Sequence, residues 1–88
     1  FLKIMALGEF KQRKLAPHFA MEIHLHLAAA YGIEPWLEHF EWLGPLFNEP
    51  MHLKDGRMHV SDRPGLGFSL SEQARRWTTE TQEFGKRP

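Results

Sequence analysis

The chain has 88 residues, 42 % apolar and 25 % charged, with 11 Lys and Arg balanced by 11 Asp and Glu. That composition excludes intrinsic disorder, and the zero net charge removes the basic face that binding to nucleic acid requires. No apolar run approaches the roughly 20 residues of a membrane span, and the absence of cysteine excludes disulfides and thiolate metal sites, in keeping with a reducing, cytoplasmic setting.

The first predicted element is a helix over Phe1 to Lys11, where Phe1, Leu2, Ile4, Met5, Leu7 and Phe10 recur at helical spacing. It is already under way at Phe1, with no signal peptide before it, so the chain is expected to continue a longer one. Lys11, Gln12, Arg13 and Lys14 suit a helix C-terminus, where the dipole is negative. Pro17 disfavours helix at Ala16 and predicts a short buried strand ending near Pro17. A second helix is predicted over Met21 to Tyr31, rich in Ala and Leu and stopped at Gly32. Trp36, Phe40 and Trp42, with Glu38 between them, read as a half-buried strand. Asp55-Gly56, flanked by Met51, Leu53, Met58 and Val60, predicts a β-hairpin over Met51 to Val60. Asp62 to Gly67 is a turn-rich loop. Ser71 is placed to cap a last helix from Glu72 to about Thr79, and the tail Gln82 to Pro88 is polar and basic.

Chemistry is expected where the strand ending at Pro17 turns into the second helix, because active sites of parallel α/β barrels lie at that end of the strands. Glu22 falls near the helix N-terminus, where the dipole stabilises a carboxylate. On the local pattern alone it reads as an ordinary first-turn acidic residue. The six histidines raise a metal site only to dismiss it. His24 and His26 lie two apart on diverging helix faces. Glu22 with His26 falls short of the three protein ligands typical of catalytic zinc. Trp36, Phe40, Trp42 and Phe47 read as core or interface aromatics, and Pro64-Gly65-Leu66-Gly67 lacks the context of a phosphate loop.

The run Ala16-Pro-His-Phe-Ala-Met-Glu-Ile-His-Leu-His-Leu-Ala-Ala-Ala resembles the last barrel strand and following helix of the mandelate racemase/muconate lactonizing enzyme subgroup of the enolase superfamily. The resemblance continues through Pro35-Trp-Leu-Glu-His-Phe-Glu-Trp-Leu, Pro45-Leu-Phe-Asn-Glu, Asp62-Arg-Pro-Gly-Leu-Gly-Phe and Leu70-Ser-Glu-Gln-Ala-Arg-Arg-Trp, and so covers essentially the whole chain. It implies an α/β fold: the C-terminal fragment of an enolase-type modified TIM barrel. Residues 1–31 would hold helix 7, strand 8 and helix 8. Residues 32–88, with the hairpin and last helix, would return to pack on a capping domain. The implied activity is that of a magnesium-dependent acid-sugar dehydratase, a carbon–oxygen lyase that removes a proton next to a carboxylate and then expels water. Glu22 matches the family's acidic residue at the substrate carboxylate, and His18, in the matching turn, is a possible substrate contact. The magnesium ligands, a lysine base and a histidine–aspartate pair are expected outside this chain. The resemblance therefore implies an acid-sugar substrate and a homo-oligomer for the complete enzyme, and no activity for this segment alone. The competing expectation is an inert remnant of such a gene that only associates with other chains.

Overall fold

The computed structural model describes residues 1–85; Lys86 and Arg87, the basic end of the expected tail, lie outside the described residues. Helix α1 spans Leu2–Phe10. Gln12, at φ 53°, closes it in the left-handed region. The amides of Gln12 and Arg13 bond back to Glu9 O and Gly8 O at 3.0 and 2.9 Å, a Schellman ending that satisfies the last carbonyls. No residue of α1 is buried. Leu2, Ile4, Leu7 and Phe10 stand exposed around it, and an element this apolar belongs under other chain.

Helix α2 spans Met21–Ala29 and buries Met21, Glu22 and Ala28. It ends two residues short of the expected Tyr31, and Gly32 does not take the left-handed conformation expected of a stop. The chain instead bends to carry Tyr31 beneath α1. Tyr31 is buried, and its hydroxyl donates to Arg13 O at 2.6 Å. Gly8 makes this possible, because a Cβ there would sit 3.1 Å from the Tyr31 hydroxyl. Gly8→Ala is expected to be near neutral, since the gain of about 1 kcal/mol in helix propensity offsets the crowding. Gly8→Val is expected to cost about 1–3 kcal/mol through overpacking. Urea denaturation of the two variants in a full-length host protein checks the difference.

Two expected strands do not form. Residues 14–17 form no strand and carry no ladder; the backbone bond there runs from Trp36 N to Leu15 O at 2.8 Å. Residues 35–42 are likewise irregular. A strand is defined by its neighbours, and a parallel barrel strand draws its neighbours from far along the sequence. Residues 1–31 are thus two helices joined by an irregular connection.

The C-terminal half follows the sequence more closely. A 3₁₀ turn at Gly44–Leu46 precedes a hairpin of β1 (His52–Lys54) and β2 (Arg57–His59), antiparallel with Leu53 opposite Met58. Asp55 at φ 52° and Gly56 at φ 73° give the two left-handed residues of a type I′ turn. Ser71 caps α3 (Glu72–Trp77), its hydroxyl accepting from Ala74 N at 3.1 Å. That same hydroxyl donates to Pro45 O at 2.6 Å, and Ser71 N donates to Leu46 O at 2.8 Å. Glu49 accepts from Ser69 N at 2.6 Å and from its hydroxyl at 2.9 Å. These two bonds, the amide first, hold its carboxyl below the usual glutamate range.

Among the described residues the apolar core is Met21, Ala28, Tyr31 and Ala74. The radius of gyration is 15.6 Å, against about 12 Å for a closed domain of this length. No described helix is long and apolar enough to cross a membrane.

Candidate active site

The turn from residue 16 into α2 is the most strained part of the backbone. Phe19 and Ala20 sit at φ 59° and 42°, and two successive non-glycine residues in the left-handed region cost on the order of 1 kcal/mol or more each. Side chains around the turn hold it in place. Glu38 Oε2 accepts from Phe19 N at 2.7 Å. His24 donates from Nδ1 to Phe19 O at 2.6 Å. The Phe19 ring packs 5.4 Å from Phe40, which stacks on Trp42 at 4.5 Å.

His18 stands at the outer edge of this turn. Its Nδ1 lies 2.9 and 3.0 Å from the two Glu38 oxygens, and its side chain is 84 % exposed. An imidazole nitrogen facing a carboxylate carries its proton there, which leaves Nε2 free to accept or return one. The turn thus brings together strained backbone, an oriented imidazole and a fixed carboxylate. The sequence reading expected the family's histidine–aspartate pair outside this chain; inside it, His18 and Glu38 form a histidine–glutamate contact.

The Glu38 carboxyl is held below the ordinary glutamate value of 4.5, first by the Phe19 amide and then by His18, against a smaller opposing effect of desolvation. A carboxyl lowered in the folded state stabilises that state above its unfolded pKa, and the stabilisation is lost as pH falls through the folded value. The clamp is therefore expected to act fully above pH 4.5 and to fade below it. In a full-length host, the urea midpoint of the parent minus that of Glu38→Gln should stay constant from neutral pH down to that point, then shrink. A difference that persists unchanged into acid would refute the clamp.

Glu22 sits elsewhere. It is 9 % exposed and lines a cavity of about 480 Å³ between α2 and the hairpin, whose walls include neither His18 nor Glu38. His24 and His26 diverge, His24 to Phe19 O and His26 from Nε2 to Leu66 O at 3.0 Å. Among the described residues no three His, Asp or Glu come together as a metal site. Both Glu38 oxygens are already engaged by His18 and Phe19. The residues present therefore do not form a magnesium site.

The comparisons with known proteins define the class. Residues 1–74 match the family model "Enolase C-terminal domain-like", and the chain belongs to that family. It is 75 % identical over all 88 residues to the L-talarate/galactarate dehydratase of Salmonella typhimurium. A D-galactonate dehydratase family member of Pseudarthrobacter chlorophenolicus is 37 % identical over 57 residues, 64 % of this chain and 14 % of that protein. The crystal structure of the Salmonella enzyme with Mg and L-lyxarohydroxamate superposes on the whole chain with a TM-score of 0.91, over 22 % of its own length. L-talarate dehydratase from Polaromonas sp. JS666, complexed with Mg and L-glucarate, is 61 % identical with a TM-score of 0.89, over 99 % of this chain and 24 % of that one. The chain thus spans about a fifth of the length of these relatives.

Proposed function

We propose that the chain is the C-terminal part of a magnesium-dependent acid-sugar dehydratase of the galactarate/L-talarate type, and that His18, oriented by Glu38, is the proton-carrying group it contributes. The observation that carries the second half is the 2.9 Å contact between His18 Nδ1 and the Glu38 carboxylate on a strained turn. The 75 % identity along the whole chain supports the first half. Magnesium would be held by residues outside this chain.

The reaction removes hydrogen as a proton from the carbon next to a carboxylate. The hydroxyl on the neighbouring carbon then departs with a proton as water, and the resulting enol becomes a ketone. Each half needs a group that takes or gives a proton near neutral pH. His18 Nε2 is that atom in this chain. Glu38 fixes the ring's tautomer and offsets the charge when the imidazole is protonated. Glu22, expected as the catalytic carboxylate, lies in a separate cavity, so this reading gives it no contact with the reacting atoms.

The test is a chimaera in which these 88 residues replace the matching region of the Salmonella L-talarate/galactarate dehydratase. Turnover of galactarate within about tenfold of the host is expected, given interchangeable catalytic groups. A folded chimaera without turnover would favour the inert remnant.

A further inference from the structure

Glu22 lacks something a buried carboxylate needs. It is 9 % exposed, yet among the described residues it has no hydrogen-bond or ion-pair partner. Its oxygens are not sealed off, and Glu22 lines a cavity of about 480 Å³.

In the rest of that wall, His52 and His59 face each other across the hairpin with ring centroids 5.2 Å apart. Glu49 and Asp62 add two more carboxylates, and Arg63 is the one full cation among the lining residues. Glu49 is engaged by Ser69, and Arg63 donates from Nε to Gly67 O at 2.8 Å. His26 turns its Nε2 to Leu66 O. Glu22 is left without a partner in a wall that carries two further acidic groups. A buried carboxylate is tolerated only when paired and hydrogen-bonded. No third ligand joins it to suggest a metal ion.

We propose that this cavity is the seat of one basic side chain, an Arg or Lys, which reaches in from the chain outside these 88 residues and pairs with Glu22. The Salmonella relative has such chain to supply it, since the matched region is 22 % of its length. The pair ties the segment from α2 to the hairpin onto the rest of the enzyme. It is a docking contact and takes no part in the chemistry at His18.

The test uses the chimaera described above. Glu22→Gln keeps the shape and removes the charge, and is expected to lower the melting temperature by about 5 °C or more while kcat of the folded protein stays within about twofold. Each Arg and Lys outside the segment that lies within reach is then changed to Met, in the parent and in the Glu22→Gln background. One of them is expected to be costly in the parent and nearly silent in the variant, as a double-mutant cycle requires. If Glu22→Gln does not accumulate, Glu22→Asp, which keeps the charge, is used for the cycles. The proposal is overturned if no outside residue couples, if Arg63 is the coupled residue, or if a chelator lowers the parent's melting temperature to that of the variant. It is also overturned if kcat collapses at an unchanged melting temperature, which would return Glu22 to the chemistry. A failure of the His18 reading appears in different variants.

Discussion

His18→Asn in the chimaera is expected to lower turnover about 10²- to 10⁴-fold, the usual contribution of a positioned acid or base, while the thermal transition stays in place. The stability half of this expectation rests on exposure. The side chain is 84 % exposed, so little packing is lost, and a fully exposed pair adds little to stability. The kinetic half rests on Nε2 being the free nitrogen of an imidazole whose Nδ1 is held at 2.9 Å from Glu38. Running the reaction in heavy water separates the two possible duties. If His18 takes the proton next to the carboxylate, hydrogen exchange at that carbon falls together with turnover. If His18 delivers the proton to the departing hydroxyl, exchange continues while turnover is lost. Turnover within tenfold of the parent would remove His18 from the chemistry.

The sequence made the helices, the hairpin and the cap of α3 legible because each is a local event. Asp55-Gly56 needs only its own two left-handed residues, and Ser71 needs only Ala74 N three residues on. The expected strand at residues 14–17 failed for the converse reason: a proline can disfavour helix, but pairing needs a neighbour, which the described residues do not supply. The site was half legible. His18 was marked as a residue of the turn, but Glu38, 20 residues away, was read as a spacer between aromatics. No local pattern links the two; the signal is the return of residues 36–40 across the turn, seen in Trp36 N bonding Leu15 O and Phe19 N bonding Glu38. Glu22 read locally as an ordinary first-turn acidic residue, and the family resemblance alone marked it as a site residue. Its burial in another cavity is a tertiary fact with no sequence signature.

The isolated 88-residue chain is expected to show no cooperative thermal transition and no dehydratase activity. Secondary structure alone does not make a two-state fold; cooperativity comes from a shared apolar core. Here the described core is Met21, Ala28, Tyr31 and Ala74, while Leu2, Ile4, Leu7, Phe10, Trp36 and Trp42 are each more than 60 % exposed. Helix α1 touches the rest chiefly through Gly8 and Tyr31, and a short helix without a packed face is marginal in water. Melting followed by circular dichroism should therefore give a broad, shallow loss of helix, and the exposed apolar surface should bind a hydrophobic dye before any heating. The same residues in the chimaera should melt with their host in one transition, because the host covers α1 and the aromatic cluster beside His18. A sharp transition in a monomer of the isolated chain would mean that these elements carry their own core, and the residues now seen as uncovered would then be a surface evolved for some other partner.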